Sequence, residues 1–389
     1  MSGTMTGRER INTVLKGEEP DHVPFTPLIG RYYVMSLPGL GIPLTEIAPY
    51  PPSTAAGVPE SLKRDLCLHE IETIKYVGAD VLYRHIIPYR IEYGGGVETF
   101  SDGRRDYITP VPVLRSGFST PGGNLVEETR ESNGTEYIAK HLLETEEDLR
   151  LFLQVLDAAR VEPDYRAYTE FDEYIGEDGV ATVTGPVTPI QELLQFKMGV
   201  ERTVFTLLDS QYLAAELFGR IHQLNKTIYR VLAESPAEMI ITYEDTSTTI
   251  MGPDWYGRYC RRELDEYSEI LHRAGKLHIV HMCGKLAGLT GKVAEGKMDG
   301  IDSVCPPETG DLEPGDALRQ IGKLIIGGLD PAYLASTPEE DCRNYARKKL
   351  EQVPAGAPFI LCTGDSTAAG TPPENLRAVS ETVREFGAL

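Results

Sequence analysis

Two soft metal ligands stand one residue apart at the end of an apolar stretch. His281 and Cys283 close the run 277–284, which reads Leu-His-Ile-Val-His-Met-Cys-Gly. In a β-strand alternate side chains point to the same side, so these two side chains would lie together while Met282 points away. An imidazole and a thiolate suit Zn²⁺, which takes at least three protein ligands. The run therefore predicts part of a zinc site, and the remaining ligands must come from elsewhere.

Cys362 is the first candidate for the missing ligand. It closes another apolar run, 358–362, and lies 79 residues after Cys283. The pattern is then His-x-Cys with a distant Cys. The same three residues could instead serve only packing and hydrogen bonding, because cysteines are often buried and inert. The elements around them distinguish the two interpretations.

Apolar runs and amphipathic stretches alternate along most of the chain, as in a (β/α)8 TIM barrel. The predicted strands are 23–28, 79–83, 180–185, 239–244, 277–284, 300–304, 323–327 and 359–362, and the first contains two prolines. A length of 389 residues suits one such barrel domain over 1–389. Residues 86–145 break the alternation, and Asn133-Gly134 is a hairpin signal, so we predict an antiparallel β insertion after the second strand.

In such a barrel the catalytic groups lie at the carboxyl ends of the strands. His281 and Cys283 close the fifth predicted strand and Cys362 the eighth, so all three should face one mouth. Other polar groups at strand ends are equally compatible with helix capping or salt bridging: Arg84, His85, Glu244, Asp245, Asp302, Asp330 and Asp365.

Glu244 is favoured among these polar groups because its strand neighbours the fifth. Its carboxylate could complete a tetrahedral zinc site or hold the water that does, and Glu244 with Asp245 are the candidate catalytic carboxylates. His278 is expected to be a core histidine with its hydrogen bonds satisfied. Cys305 is a weaker candidate for the fourth zinc ligand.

Composition excludes several classes of protein. The formal net charge is −21, which argues against binding a nucleic-acid backbone. The N-terminus has no apolar run typical of a signal peptide, and no stretch of about 18 apolar residues predicts a membrane span. Six widely spaced cysteines do not form a disulfide framework. The chain is therefore expected to be soluble and cytoplasmic, with reduced thiols that are available to bind metal.

Three segments make the chain resemble the uroporphyrinogen decarboxylase-like superfamily over nearly its whole length. They are Arg8-Glu9-Arg10 with 15–24, His281-Met282-Cys283-Gly284, and 370–376, which reads Gly-Thr-Pro-Pro-Glu-Asn-Leu. The decarboxylases carry Arg-Gln-Ala-Gly-Arg-Tyr after the first strand and Phe-Ser-Asp after the second. This chain has Pro-Leu-Ile-Gly-Arg-Tyr at 27–32 and Leu-Tyr-Arg-His at 82–85, so the pyrrole-binding carboxylate is missing.

The resemblance to the corrinoid-dependent methyltransferase branch implies a function. That branch is marked by His-x-Cys and a later Cys that bind zinc, and His281, Cys283 and Cys362 match its motif. The chain lacks the Asp-x-His-x-x-Gly cobalamin motif, so the corrinoid should arrive on a separate partner protein. The resemblance thus implies a zinc methyltransferase that moves a methyl group from a small donor to Co(I). An antiparallel lid and 20 tyrosines would suit an aryl methyl ether as in O-demethylases.

Three alternatives stay open at this point. A methylcobamide:thiol (coenzyme M-type) methyltransferase would run the transfer towards a thiol acceptor. A cofactor-free decarboxylase of a porphyrin-like or other acid would need no metal. A barrel without catalytic activity could bind a corrinoid protein and transfer nothing.

Overall fold

A parallel β-sheet forms the centre of the protein. The computed structural model describes residues 4–30, 33–34, 60–101, 113–132, 135–244 and 246–387. Seven parallel strands pair in the order β1-β8-β9-β10-β11-β12-β13, and each is almost wholly buried, as in sheets covered on both faces. They are β1 (Val81–Ile86), β8 (Gly179–Gly185), β9 (Met239–Glu244), β10 (Leu277–Met282), β11 (Gly300–Val304), β12 (Leu324–Leu329) and β13 (Phe359–Thr363).

Side chains on the two faces of this sheet form two different apolar clusters. One cluster includes Met239, Ile241, Ile279, Ile326 and Ile360, and it lies inside the curl of the sheet together with helix α1. The other cluster packs the opposite face of the strands against the surrounding helices. A curled parallel sheet with helices outside it is an α/β architecture of the TIM type.

The predicted first strand, 23–28, is reduced to one β-bridge between Phe25 and Leu361. Prolines at positions 24 and 27 lack the N–H groups that a regular ladder needs, which explains the absence of a strand there. The segment nevertheless contacts both edges of the sheet. Thr26 N donates to Leu361 O at 2.9 Å, and Asp80 N, just before β1, donates to Phe25 O at 2.8 Å.

Helix α1 (Gly7–Leu15) covers the amino end of the strands. A capping box begins this helix, since Thr6 Oγ1 accepts from Glu9 N while the Glu9 carboxylate accepts from Thr6 N. Ile11 and Val14 of this helix enter the inner apolar cluster. Arg10 of the same helix forms ion pairs with Asp21 and with Asp80. These pairs join the helix to the segment that follows it and to the residue before β1.

Antiparallel strands follow β1, as predicted for residues 86–145. Strands β3 (Glu98–Ser101), β4 (Leu114–Thr120), β5 (Gly123–Ser132) and β6 (Thr135–Lys140) form one sheet in sequence order. The predicted turn residues Asn133 and Gly134, and residues 102–112, lie outside the described residues. The pairing continues past 145, because β2 (Tyr89–Tyr93) pairs with β7 (Ala159–Pro163).

Helices connect the parallel strands in sequence. They are α2 (Glu60–Tyr76), α3 (Glu146–Ala158), α4 (Arg166–Ile175), α5 (Pro189–Gln191), a π-helical turn (Glu192–Lys197), α6 (Gly199–Asp209), α7 (Gln211–Glu234), α8 (Pro253–Tyr259), α9 (Arg261–His272), α10 (Thr290–Ala294), α11 (Pro314–Ile321), α12 (Pro331–Ser336), α13 (Glu339–Leu350) and α14 (Pro373–Gly387). Among the described residues, no helix combines the length and apolar character that crossing a bilayer requires.

Candidate active site at the carboxyl end of the sheet

The register of three neighbouring strands brings three functional side chains together. In β10, His281 is paired with Tyr243 of β9 on one side and with Asp302 of β11 on the other. Paired residues of parallel strands point to the same face of a sheet. Counting in twos along β10 places His281 on the same face as Ile279, inside the curl of the sheet. All three side chains therefore point into the interior near its carboxyl end.

Polar contacts join five side chains into one group, which we call the mouth cluster: Cys283, His281, Asp302, Arg84 and Cys362. The first link is a hydrogen bond between the side chains of His281 and Cys283. His281 Nδ1 lies 2.8 Å from Asp302 Oδ2. Arg84 Nη2 lies 3.3 Å from Asp302 Oδ1 and 3.6 Å from Cys362 Sγ. The three predicted zinc ligands thus belong to one connected group.

Irregular backbone places two members of the mouth cluster. Arg84 precedes His85, whose φ is +77°, and Asp302 precedes Ser303, whose φ is +76°. The ladders of β1 and β11 shift register at these same points. Few residues other than glycine adopt such a backbone, which costs free energy and is concentrated at functional sites. The irregular backbone lets Arg84 on the first strand of the sheet reach Asp302 on the fifth.

Burial and mutual attraction determine the charges of this cluster. Arg84 and Asp302 are each 1% exposed. Burial raises the pKa of the Asp302 carboxyl, but Arg84 and His281 outweigh it and hold the pKa at about 2. Burial likewise lowers the pKa of His281, yet the hydrogen bonds to Asp302 and Cys283 raise it to about 10. Burial is the main reason that the Cys362 thiol has its pKa raised to about 11, although Arg84 acts in the opposite direction.

The donor set of the mouth cluster fits zinc in chemistry. His281 has a carboxylate on Nδ1, which is the usual partner of a zinc-bound imidazole, and its other ring nitrogen, Nε2, remains for Cys283 or for an ion between the two side chains. Two sulfurs belong to the same group, and Cys283 is half-buried while Cys362 is fully buried. Among the described residues, however, no three His, Cys, Asp or Glu side chains already converge as a metal-binding group. The guanidinium of Arg84 contacts the sulfur of Cys362. To bind an ion, this sulfur would need to be accessible.

Comparison with known proteins identifies the family. The family model described as uroporphyrinogen decarboxylase (URO-D) matches residues 130–386, more than half of the chain. The chain belongs to the URO-D family. No curated protein sequence matches it.

Solved structures support the fold of this URO-D family member. A structure described as a methyltransferase from Methanosarcina mazei matches with a TM-score of 0.62 and 16% identity, covering 98% of this chain and 99% of that chain. At this identity the similarity shows the fold. Two structures of the pneumococcal protein StrH match at TM-scores of 0.35 and 0.33, with 11% identity over 66% of this chain and 72% of theirs. Those two similarities are too low to inform the function of the URO-D family chain.

Glu244, the favoured carboxylate in the sequence, has a different setting in this URO-D family chain. It follows Tyr243 and points to the opposite face of β9, where its carboxylate accepts from Thr188 N at 2.6 Å and from Thr188 Oγ1 at 3.0 Å. Asp245 lies outside the described residues. Their catalytic roles stay predictions, and we leave Glu244 out of the ligand set proposed below.

Two other predictions concern residues near the mouth cluster. His278 is fully buried and bonds to Thr242 and Ser268, as expected of a core histidine. Cys305 is buried, and burial together with Asp330 raises the pKa of its thiol to about 12. Its role as a fourth ligand stays a prediction.

Asp302, Arg84 and Tyr243 gain importance from the structure. The ring of Tyr243 lies 4.8 Å from that of His281 and 5.0 Å from that of His85, so it forms part of the wall of the mouth. Asp302 could have been predicted as the partner of His281 from strand pairing alone. It is the third residue of β11, the strand that follows the His-x-Cys strand in the chain. Arg84 could not be predicted in this way, because its partners lie 218 and 278 residues away.

Proposed function

We propose that this chain is a zinc-dependent methyltransferase that moves a methyl group from a small donor to the Co(I) centre of a separate corrinoid protein. The observation that carries the proposal is the mouth cluster, which links His281, Cys283 and Cys362 through Asp302 and Arg84. Membership in the URO-D family and the structural likeness to a methyltransferase support it. Under this proposal His281, Cys283 and Cys362 hold the ion.

Each member of the mouth cluster then has a task. When bound, zinc supplies Lewis-acid chemistry, either by keeping a thiol as its thiolate or by polarising the oxygen of a methyl ether. Asp302 fixes the ring of His281 through Nδ1, and Arg84 balances the charge of Asp302 in a buried site. The Tyr243 and His85 rings, which are stacked 5.0 Å apart, would line the mouth where a planar donor such as an aryl methyl ether binds.

The proposal includes a closed (β/α)8 barrel, in which the segment around Phe25 serves as the first of the eight strands, between β13 and β1. Its hydrogen bonds to Leu361 of β13 and to Asp80 at the start of β1 support this closure. The corrinoid would approach the carboxyl end of the sheet on a partner protein, because the sequence carries no cobalamin motif of its own.

A decarboxylase is the second candidate, because the matching family model is that of uroporphyrinogen decarboxylase. The segment 82–85, where the decarboxylases carry the pyrrole-binding carboxylate, has no acidic residue in this chain. Its Arg84 and His85 are cationic or neutral side chains and cannot supply that negative charge. A thiol as acceptor, in place of a small donor, is the alternative within the methyltransferase proposal.

Zinc content and methyl transfer together test the proposal. The full chain should bind one equivalent of zinc, measured by mass spectrometry of the metal, and His281→Ala and Cys362→Ala should lose most of it. Cys342→Ala is the matched control, since this buried thiol lies in α13 with Thr337 O as its partner. The zinc-loaded chain, mixed with Co(I) corrinoid protein and methyl ethers, methylamines or methyl thiols, should change the cobalt absorption.

Two results would contradict the proposal. One is full zinc occupancy in both the His281→Ala and Cys362→Ala variants. The other is sustained uroporphyrinogen turnover by metal-stripped protein, which would favour the decarboxylase.

A further inference from the structure

Helix α6 exposes two large apolar side chains while it buries two hydroxyls. Its buried residues are Thr203 and Thr206. Phe205 and Leu208 are 52% and 63% exposed, and Tyr212, at the start of α7, is 87% exposed. A surface helix normally turns its large apolar side chains towards the core. Neighbouring apolar side chains that are left in water mark a surface that another molecule covers.

Five exposed residues share one side of this helix, and we call them the α6 face: Glu201, Arg202, Phe205, Leu208 and Asp209. With about 3.6 residues per turn, spacings of three, four and seven residues keep side chains on one side of a helix. Phe205 lies in the middle of the face. Arg202 and Asp209 lie on the same edge of it, about two turns apart. Along that edge, a cation and an anion therefore stand at opposite ends of an apolar centre.

These two charges oppose the dipole of their own helix. The amino end of a helix favours acidic side chains, and its carboxyl end favours basic ones. Arg202 is the fourth residue of α6 and Asp209 is the last, and the final turn of α6 contains no basic residue. Within one copy of the chain, both charges are thus on the less favourable end. A partner that brings an anion to Arg202 and a cation to Asp209 would compensate both.

The α6 face stands at the carboxyl end of the parallel sheet, the end that holds the mouth cluster. Helix α7 leads from α6 back to the amino end of β9. Its Asn225 Nδ2 donates to Val187 O at 2.7 Å, and Val187 lies two residues after the end of β8. Gln211, the first residue of α7, precedes Asn225 by 14 residues, which is about 20 Å of helix. The α6 face is therefore carried on a projection that a large partner can reach.

We propose that the α6 face binds the α6 face of a second copy of this chain, with the two helices antiparallel. A two-fold axis near Phe205 brings Arg202 of each copy to Asp209 of the other and packs Phe205 against Leu208 of the other. One surface thus serves both copies, as in an isologous dimer. Parallel helices would instead place Arg202 against Arg202. The inference goes beyond the proposed function and does not depend on it.

The net charge of the chain sharpens this inference. At a formal charge of −21, two copies repel each other, so non-specific self-association is disfavoured. A dimer then requires a surface with an apolar centre and complementary charges. The α6 face supplies both, and its aromatic Phe205 is of the residue class that anchors protein interfaces.

Sedimentation velocity of the full chain tests whether the dimer forms through this face. Wild type should be dimeric at about 10 µM, since interfaces of standard size bind with micromolar or tighter affinity. Phe205→Glu places a charge at the centre of the face and should raise the dissociation constant of the dimer at least about 100-fold. Tyr76→Glu is the matched control, because Tyr76 is 62% exposed in α2, before the amino end of β1. It should leave the dimer unchanged.

Two charge reversals test the antiparallel pairing itself. Arg202→Glu and Asp209→Arg each set like charges against each other in the dimer, so each variant alone should dimerise at least about 10-fold more weakly. Both changes follow the preference of the helix dipole, so both variants should fold. Mixed in equal amounts, with one variant carrying a fluorophore, they should form a heterodimer as tight as wild type, since every facing pair then has opposite charges.

Three outcomes would overturn the inference. They are a wild-type chain that stays monomeric at about 100 µM, a dimer that a folded Phe205→Glu variant leaves intact, and a mixture of the two charge reversals that associates no more tightly than either variant alone. If Phe205→Glu does not fold, the charge reversals decide alone. Methyl transfer enters none of these measurements, so a failure of the proposed function is distinguished from a failure of this inference.

Discussion

Two buried arginines lie at opposite ends of the parallel sheet, and their surroundings differ. Arg10, at the amino end, is 5% exposed, and its Nε lies 2.7 Å from Asp21 Oδ1. Its other donors reach Met5 O at 2.7 Å and Asp80 Oδ1 at 2.5 Å. Arg84, at the carboxyl end, has one carboxylate at 3.3 Å and a sulfur at 3.6 Å. Every nitrogen of the Arg10 guanidinium has a hydrogen-bond partner, whereas Nε of Arg84 has none among the described residues.

The difference separates stability from function within one sheet. The partners of Arg10 belong to the residues before α1, to the segment after it and to the residue before β1, so its hydrogen bonds hold together chain segments far apart in sequence. In barrels of this type the amino end of the strands serves stability, and the carboxyl end carries the active site. Arg84 follows that division, since it contacts the predicted ligand Cys362 and the Asp302 carboxylate that pairs with His281.

Replacing each arginine by methionine tests the comparison directly. Arg10→Met leaves the two half-buried carboxylates of Asp21 and Asp80 without their cation, so the free energy of unfolding should fall by about 3 to 5 kcal/mol. Arg84→Met leaves Asp302 bonded to His281, and the loss should be about 1 to 2 kcal/mol, within the ordinary range for point substitutions. Unfolding in urea, followed by circular dichroism, measures both values. Equal losses of stability in the two variants would mean that the two ends of the sheet do not divide these tasks.

Asp302 provides a second test at the carboxyl end. Asp302→Asn weakens the partner that fixes His281, and the loss of such a partner typically lowers metal affinity about 10- to 100-fold. Competition with a chromophoric chelator measures this change. Asp299→Asn is the matched control. Asp299 lies directly before β11, away from the mouth cluster, and its carboxylate pairs with His272 at 2.8 Å. Its zinc affinity should equal that of wild type.

The double variant Arg84→Met/Asp302→Asn separates positioning from charge balance. If Asp302 acts by positioning His281, the double variant should bind zinc as weakly as Asp302→Asn although its buried charges are balanced again. Recovery of wild-type affinity in the double variant would instead assign the effect to the uncompensated charge of Arg84.

Strands with continuous apolar runs could be predicted from the sequence, and β9 and β11 begin and end where expected. The segment 23–28 could not be assigned correctly by composition, because its prolines restrict it to one bridge although it still joins both sheet edges. The strand β7 was missed as well, since the run Ala-Arg-Val-Glu-Pro is short and half polar. In both cases the pairing depends on distant backbone and not on local pattern.

The candidate site was predicted in part for a similar reason. Cysteine and histidine at strand ends are visible in the sequence, and the structure places His281 and Cys362 in one group of contacts. The choice of Glu244 neglected strand parity, since Tyr243 and not Glu244 pairs with His281. The Arg84–Asp302 pair depends on two register shifts and on strands that are not neighbours in the sheet. No local pattern encodes such a contact.

The response to acid tests whether the two ends are energetically independent. Burial and the neighbouring arginine lower the pKa of His22 to about 4 at the amino end and of His85 to about 3 at the carboxyl end. An unfolded histidine has a pKa of about 6.5, so each contributes stability that is complete above that pH and is lost as the pH falls towards the folded value. Each should add up to about 1.4 kcal/mol per pH unit to the acid dependence of the free energy of unfolding.

His22→Gln and His85→Asn should each remove its share between pH 6.5 and 4, with asparagine chosen because it tolerates the positive φ at position 85. Urea unfolding across this range should give a double variant whose change equals the sum of the two within about 0.5 kcal/mol. A larger deviation would show that the two ends of the sheet are energetically coupled. The hydrogen bonding of Arg10 and that of Arg84 would then not be independent of each other.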